Sequence, residues 1–543
     1  MNLFEKNDYL YPLFIGFVFF IASLLIMHNG HFHEDAYILF IYVENFVNGN
    51  GITYFPGAPP IEGATDFLWM ILISILVFLG IDSGTAVLIL NSVGVFIVSL
   101  LISKILLESK EESFRFKFFY FVLPLLWIPQ SFLLAGIGGF SVYLYLGLIS
   151  LAVYFIYHGE KCYLIPLVGI ALSLFRPDGV ILAIGFWLVS LYLCSQNKEF
   201  KKFAIYTLIA FVIGVVYFLW RYNYFGNLLP LPLYVKSSEG GLAGLGRNMK
   251  WINHDWTSVY LLAIVFLSIV FKKLRVVALY SVPAVLLYVA LMFATQSQNI
   301  GYRFQAPLFI ISFLIFVVLV GIYLRTEKDV RFSKFLITLP VIVLTVSSYK
   351  NVSDLSEITA FNYINEFPKK INELILSSNN NDVTIALTEA GRLAYWNQSA
   401  KIKIIDLVGL NTPYTAKNQL SIEYMESISP DIIMFHHART IDIGNKDKVN
   451  SNHLVLSDRA SFDPAGFKNP KRVDKVIVAA NVASEYLFQH FDRYDVIAVD
   501  YREDGGFYHI YALKKKLGIK AGFLAALDDV FLQRRDLSYY QMK

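Results

Sequence analysis

Long apolar runs recur along the first two-thirds of the chain and predict membrane-spanning helices. A helix that crosses the hydrocarbon core needs about 20 mostly apolar residues, with about 17 as the lower limit. A further apolar stretch, Phe67–Gly80, is either another span or a helix that lies at the membrane interface. The remaining runs predict spans at 10–27, 84–107, 118–134, 141–157, 163–175, 179–195, 203–220, 257–271, 275–294, 305–325 and 335–348.

The pattern changes near residue 350, where charged residues become frequent and short apolar segments alternate with turn residues. Two helices are predicted there, at Thr388–Asn397 and Ala480–His490. The apolar segments predict strands at Asp382–Leu387, Lys401–Ile405, Asp431–Phe435, Tyr494–Asp500 and Phe507–Leu513. We therefore expect a transmembrane domain over 1–349, with its first outer loop and interfacial helices at 28–83, followed by an α/β domain over 350–543.

Composition supports a membrane protein, since 56% of the residues are hydrophobic and only 16% are charged. Soluble domains average about 25% charged residues. The net charge of +4 does not indicate a nucleic-acid-binding protein. The two cysteines, Cys162 and Cys194, are too few for a disulfide framework. The predicted fold class is a polytopic α-helical membrane protein with a C-terminal extracytoplasmic α/β domain.

Basic residues predict the orientation, because short cytoplasmic loops carry an excess of Lys and Arg. The first loop, roughly 28–66, contains neither residue, whereas the loops near 110–117, 198–202, 272–275 and 325–334 are basic. These loops share the inner side only if Phe67–Gly80 does not cross. We therefore expect eleven spans, a cytoplasmic N-terminus, an uncleaved first span, and the C-terminal domain outside the cytoplasm.

The first outer loop is acidic, and a helix is predicted to follow its acidic pair, Glu34 and Asp35, and to end at Asn48. One of the pair could cap this helix, since a carboxylate accepts from free N–H groups and suits the helix dipole. Either could instead be a general base acting on a hydroxyl group. The loop also holds three histidines that are spaced too irregularly to indicate a metal site: His28, His31 and His33.

A few cations are predicted at the outer membrane face: Arg176, Arg221, Lys236 and Arg303. An ionisable group next to the hydrocarbon region is costly and is therefore a candidate functional residue. Guanidinium and ammonium groups suit a phosphate. The alternatives are anchoring to lipid headgroups and simple ion pairing, such as Arg176 with Asp178.

Several motifs follow one another in a specific order. The acidic pair leads into Ala36-Tyr37-Ile38, and a Gly-x-Gly and a Pro-Gly turn come next. The later motifs are Glu62-Gly63-Ala64-Thr65-Asp66-Phe67-Leu68-Trp69, Arg176-Pro177-Asp178-Gly179, Arg221 to Pro230 with Lys236, Arg303-Phe304, Glu389-Ala390-Gly391 and Ile405 to Leu410. This series resembles the membrane glycosyltransferases of the GT-C class. More closely, it resembles the branch that contains the mycobacterial terminal arabinofuranosyltransferases.

The resemblance implies an inverting transfer of a sugar, arabinofuranosyl in that branch, from a polyprenyl-phosphate carrier to a hydroxyl of a cell-envelope glycan, lipid or protein. The reaction takes place on the outer side of the bacterial inner membrane. The resemblance implies that Glu34 or Asp35 is the general base. It also implies that four cations stabilise the departing phosphate: Arg176, Arg221, Lys236 and Arg303. The resemblance further implies a substrate-binding loop that includes Tyr37, Glu62, Thr65 and Trp69. No cofactor is required, and a divalent cation is compatible with the reaction but not indicated.

The chain departs from the family pattern at two places. The first acidic position is usually Asp and here is Glu34, and the segment Gly136–Phe140 lacks a Glu that relatives commonly have. Two other functions also use lipid-linked sugars and many spans: a flippase or transporter, and a surface-polysaccharide polymerase or ligase. Transporters usually have paired halves, and no such symmetry is found in this sequence.

Overall fold

The computed structural model describes residues 9–27, 32–108, 120–125, 127–128, 130–159, 161–236, 279–293, 299–326, 363–378, 382–438, 453–457, 459–462, 475–500 and 507–529. Its α-helices are α1 Leu10–Met27, α2 Glu34–Val47, α3 Phe67–Phe78, α4 Ser83–Leu107, α5 Gln130–Ile137, α6 Tyr143–His158, α7 Ile165–Phe175, α8 Gly179–Gln196, α9 Phe200–Phe225, α10 Leu231–Lys236, α11 Val282–Phe293, α12 Ala306–Thr326, α13 Tyr363–Ser377, α14 Arg392–Trp396, α15 Pro413–Lys417, α16 Ile422–Ile428 and α17 Lys475–Gln489. Residues 120–125 and 520–529 are also helical.

The chain divides into two compact units, each built from three separate segments. The first, called here the helical unit, comprises Met1–Phe32, Thr65–Tyr224 and Gly240–Ala360. The second, called here the sheet unit, comprises His33–Ala64, Phe225–Glu239 and Phe361–Lys543. The predicted domain boundary near residue 350 lies outside the described residues.

The helical unit contains helices of membrane-spanning length. In the described part of the chain, five are long and apolar enough to cross a membrane: Leu10–Met27, Ser83–Leu107, Gly179–Gln196, Phe200–Phe225 and Ile300–Leu319. Four shorter apolar helices accompany them: Phe67–Phe78, Tyr143–His158, Cys162–Phe175 and Val282–Phe293. The predicted spans at 257–271 and 335–348 lie outside the described residues.

The surface of α9 is apolar over most of its length. Leu208, Phe211 and Val216 on this helix are each more than 60% exposed. Exposed apolar area of this extent is unusual in water and marks a surface that contacts lipid or a partner. The helix-rich architecture and these surfaces associate the protein with a membrane.

Two predictions in the helical unit are modified by the structure. The predicted span 118–134 is wrong as one continuous helix, because Trp127 and Ile128 are not helical and α5 begins only at Gln130. A proline at position 129 explains the break, since the residue before a proline disfavours helical backbone. The ambiguous stretch Phe67–Gly80 forms the 12-residue helix α3, which is too short to cross a bilayer by itself.

The sheet unit contains one six-stranded mixed sheet. Its strands are β1 Val383–Leu387, β2 Ile402–Asp406, β3 Ile432–Ala438, β4 His453–Leu456, β5 Tyr494–Asp500 and β6 Phe507–Lys514. They are arranged in the order β2-β1-β3-β6-β5-β4. The strands β2, β1 and β3 are parallel, and the other pairings are antiparallel. The small C-terminal sheet domain predicted from the sequence is therefore present.

The predicted strands of this domain agree with the structure better than the predicted helices do. All five predicted strands are confirmed, whereas the short strand β4 was not predicted. The predicted helix Thr388–Asn397 is wrong over its first four residues, which form the loop after β1, and only Arg392–Trp396 is helical. The predicted helix Ala480–His490 corresponds to α17 and begins five residues earlier.

Segments distant in sequence contribute to the core of the sheet unit. Ile61 and Leu231 are buried in the same apolar cluster as Phe435 of β3 and Tyr486 of α17. The helix α2 is also enclosed, since Phe40 and Tyr42 are almost fully buried. Residues 33–64 thus supply structural parts of this unit.

Candidate functional site

The C-terminal edge of the parallel strands brings chemically active side chains together. Thr388 and Glu389 directly follow β1, and His436 lies near the end of β3. The antiparallel strand β6 places His509 directly opposite His436 in the register of the sheet. In open α/β sheets, ligands bind outside the carboxyl ends of the strands. This edge is therefore a natural place for a binding site.

Glu389, His436 and His509 form a compact group at this edge, called here the His–Glu cluster. Glu389 Oε1 lies 2.7 Å from His436 Nε2 and 3.5 Å from His509 Nε2. The two imidazole rings meet edge to face, with centroids 4.9 Å apart. The other ring nitrogen of His436, Nδ1, lies 3.2 Å from Thr388 Oγ1. The ligand atoms all lie within 4.8 Å of one another, so the cluster could hold a metal ion.

Charges within the cluster shift its protonation. Burial raises the pKa of Glu389, but the imidazoles of His509 and His436 outweigh burial and hold that pKa well below its usual value. Burial lowers the pKa of His436, and the Glu389 carboxylate more than offsets it, so the net shift is upward. The pKa of His509 is lowered, mainly by burial. Glu389 is thus an anion with an imidazole bonded to it.

Glu34 begins α2 and is fixed by the loop after β1. Its Oε1 accepts the backbone N–H groups of Gly391 and Arg392, at 2.7 and 2.9 Å. The guanidinium Nη1 of Arg392 lies 3.3 Å from the other carboxylate oxygen. Gly391 permits this approach, because a Cβ there would lie 2.0 Å from the Glu34 carbonyl oxygen. The carboxylate is thereby held in a defined position.

Burial is the main cause of a raised pKa at Glu34, which reaches about 7. The Glu389 carboxylate also raises it, whereas Arg392 and the two backbone hydrogen bonds lower it. A general base works best when its pKa lies near the operating pH. Glu34 has this property.

The interpretation of Glu34 or Asp35 as the helix N-cap is wrong. The N-cap of α2 is His33, whose Nδ1 accepts the backbone N–H of Asp35 at 3.2 Å. Glu34 and Asp35 occupy the first turn, where negative charge still suits the helix dipole. Neither carboxylate therefore caps α2.

Three further predicted site residues belong to the sheet unit. Tyr37 is 4% exposed, and it packs against Tyr395 and under the guanidinium of Arg392. Glu62 is buried, and its carbonyl oxygen accepts the N–H of Leu231. Lys236 ends α10, and its side chain lies outside the described part of the chain.

A second buried carboxylate organises the loop after β2. Asp406 accepts the backbone N–H groups of Val408, Gly409 and Asn411, and the Asn411 side-chain amide. Asn411 in turn accepts the hydroxyl of Tyr42 at 2.8 Å. Burial raises the pKa of Asp406, and the four hydrogen bonds oppose this rise. This network attaches α2 to the loop.

Two of the predicted cations flank one ring in the helical unit. The guanidinium carbons of Arg176 and Arg303 lie 5.5 and 5.3 Å from the centre of the Phe304 ring. Arg176 is buried and forms a bidentate pair with Asp178, at 2.9 and 3.1 Å, so the ion pair named as the alternative to phosphate binding is present. Arg221 is also buried, near the end of α9.

The residues that precede and begin α3 make packing and hydrogen-bond contacts in this unit. Trp69 is 1% exposed and packs against Phe175. The Thr65 hydroxyl donates to Asp66, which also accepts the Ser141 hydroxyl. The indole of Trp69 therefore contributes packing, and Thr65 helps to hold the Asp66 carboxylate.

The sequence indicated Glu34, Asp35 and Tyr37 as candidate residues but not His436 or His509. Each histidine borders an apolar strand segment: His436 follows Ile432–Phe435, and His509 precedes Ile510–Leu513. A histidine beside an apolar strand segment was the available signal. Their pairing depends on strand register, which the sequence alone did not indicate.

Residues 362–511 match a family described as a domain of unknown function, DUF8728. The matched segment contains the whole His–Glu cluster and the loop that holds Glu34. The search of curated proteins found no match to the chain.

Proposed function

We propose that this protein is an inverting membrane glycosyltransferase with the GT-C architecture. It moves a sugar from a polyprenyl-phosphate carrier to a hydroxyl of a cell-envelope glycan, lipid or protein. The proposal includes about eleven spans, a cytoplasmic N-terminus and an outward-facing sheet unit in a bacterial inner membrane. Its support is the ordered series of motifs, together with the membrane-length helices.

The observation that carries the proposal is the state of Glu34. Its side chain is only 17% exposed, its carboxylate is fixed by two backbone N–H groups, and its pKa is about 7. Positioning and a pKa near neutrality are the two properties that a general base needs. We assign the base to Glu34 and a supporting role on the same helical turn to Asp35.

The proposed reaction is a single displacement. Glu34 takes the proton of the acceptor hydroxyl as its oxygen attacks the anomeric carbon of the sugar. The bond from that carbon to the phosphate oxygen breaks, and polyprenyl phosphate leaves. In this reaction class, cations stabilise the negative charge that develops on the departing phosphate. We assign this role to Arg176, Arg221, Lys236 and Arg303.

Replacing Glu34 tests the proposal directly. In nanodiscs that contain a polyprenyl-phosphate pentose or hexose and an envelope-glycan acceptor, the wild-type protein should release polyprenyl phosphate. Glu34→Gln should slow this release by about 100-fold or more, because the amide cannot accept the proton. The matched control is Glu44→Gln, a change on the same helix that should leave the rate nearly unaltered.

Other results of these assays would change the residue assigned as the base or the proposed function. Full activity of Glu34→Gln with loss of activity in Asp35→Asn would transfer the base to Asp35. Movement of the lipid-linked sugar across the bilayer without transfer would identify a flippase. Joining of preassembled glycan blocks would identify a polymerase or ligase.

A further inference from the structure

We infer that Glu389, His436 and His509 bind a divalent transition-metal ion. Neither the sequence motifs nor the proposed sugar transfer requires such a site, and the inference does not rest on that transfer. It rests on three side chains that strands β1, β3 and β6 bring together at one edge of the sheet.

The spacing of the ligand atoms suits a metal ion. Zinc binds imidazole nitrogen and carboxylate oxygen at about 2.0–2.2 Å, so tetrahedral ligands lie about 3.4 Å apart. Glu389 Oε1 is 2.7 Å from His436 Nε2 and 3.5 Å from His509 Nε2. The ion would replace the proton between Glu389 and His436, and the 2.7 Å separation of these two atoms would have to widen by about 0.7 Å to admit it.

The surroundings of His436 fix its ring for this purpose. Its Nδ1 lies 3.2 Å from the hydroxyl oxygen of Thr388, and that oxygen also accepts the backbone N–H of His436. A metal-bound imidazole usually donates its other N–H to an oxygen, which orients the ring. Thr388 supplies such an oxygen and leaves Nε2 directed at Glu389.

The ligand types indicate the class of ion. Calcium and magnesium prefer oxygen ligands, whereas two imidazoles with one carboxylate suit zinc or ferrous iron. Two histidines and one glutamate are also a known ligand set of catalytic zinc. Three protein ligands leave at least one coordination position for water or a substrate oxygen.

The site would also stabilise the loop that holds Glu34. Glu389 is two residues before Gly391, whose N–H bonds to the Glu34 carboxylate. A metal bond to Glu389 would restrict the movement of this loop. Metal occupancy should therefore slow amide exchange at Gly391 and Arg392.

Metal binding to the purified full-length protein tests the inference. After removal of metal by a chelator, the protein is titrated with zinc and then with cobalt. We expect one tightly bound zinc ion per chain by elemental analysis, and visible absorption bands of bound cobalt. His436→Gln and His509→Gln should each abolish stoichiometric binding. His490→Gln, a change of another histidine in the sheet unit, is the control and should retain it.

A second variant separates a loss of metal binding from a loss of folding. Thr388→Val keeps all three ligands and the shape of the side chain but removes the oxygen beside His436. It should weaken zinc binding about 10- to 100-fold. The inference fails if the wild-type protein binds no zinc. It also fails if the His436 and His509 variants bind zinc as the control does, since the cluster would then be a proton-sharing ion pair only.

Discussion

Carboxylates in the sheet unit differ in the donors that surround them. Asp406 accepts four N–H groups from its own loop, Glu34 accepts two from a distant loop, and Glu389 faces two imidazoles. A buried acceptor that is satisfied entirely within its own loop stabilises that loop. Asp406 is therefore a structural residue, whereas Glu34 and Glu389 have partners that a substrate or ion could replace.

Removal of the Asp406 carboxylate should destabilise the sheet unit. Asp406→Ala leaves three backbone N–H groups and the Asn411 amide without their acceptor, and each buried unsatisfied group costs about 1–3 kcal/mol. We expect a loss of about 3 kcal/mol or more in the free energy of unfolding, measured by chemical denaturation.

The matched control for this change is Asp495→Ala. Asp495 forms a partly exposed pair with Lys520 at 3.3 Å. Pairs of this kind contribute about 0–1 kcal/mol. Equal losses for the two variants would contradict the structural role of Asp406.

At the residue scale, the sequence predicted candidates whose importance follows from local chemistry. An acidic pair without a basic partner in its loop pointed to Glu34 and Asp35. Tertiary contacts between residues that are distant in the sequence could not be predicted from local chemistry. The sequence did not show that Trp69 is buried against Phe175, or that His436 and His509 face one glutamate.

At the scale of elements, apolar runs with clear ends were predicted well. The strands β1, β2, β3, β5 and β6 and the helix α2 were predicted within a few residues. The short strand β4 has only four residues and therefore little pattern to detect. The helix α13 contains Pro368, a residue that argues against a helix interior.

The contact between α2 and the loop after β1 requires a glycine. A Cβ at position 391 would lie 2.0 Å from the Glu34 carbonyl oxygen, so Gly391→Ala should force the two segments apart. Overpacking of this kind costs about 1–3 kcal/mol. We expect faster amide exchange at residues 391 and 392, because they donate to Glu34.

A control for this substitution exists in the helical unit. Gly214→Ala adds a Cβ that would lie 3.4 Å from Ile170 Cδ1, a tolerable distance. Amide exchange at residues 391 and 392 should be unchanged in this variant. Unchanged exchange in Gly391→Ala as well would show that the contact tolerates a side chain.

At the scale of the whole molecule, the sheet unit is discontinuous in sequence. Residues from 33–64 and from 225–239 complete the core of a unit whose sheet comes from the C-terminal third. Tyr42 and Tyr54 donate to Asn411 and to the Ala390 carbonyl. The sequence predicted two successive domains, 1–349 and 350–543, and did not predict these long-range contacts.

A fragment comprising residues 361–543 should therefore be less stable than the same residues in the full chain. It lacks Ile61 and Leu231 from its core and both tyrosine hydrogen bonds. We expect faster amide exchange over residues 390–411 in the fragment. Fusion of residues 33–64 through a flexible linker should restore part of the protection. Equal protection in the fragment and the full chain would contradict this prediction.

The same discontinuity has a consequence for biosynthesis. Tyr42 and its partner Asn411 are 369 residues apart. At about 5–20 residues per second, roughly 20–70 s pass between the synthesis of one and the other. During this interval the apolar surface of α2 lacks the cover that it has in the finished protein. Transiently exposed apolar surface promotes aggregation, so we expect the nascent chain to be more vulnerable to proteolysis and aggregation before its last third emerges.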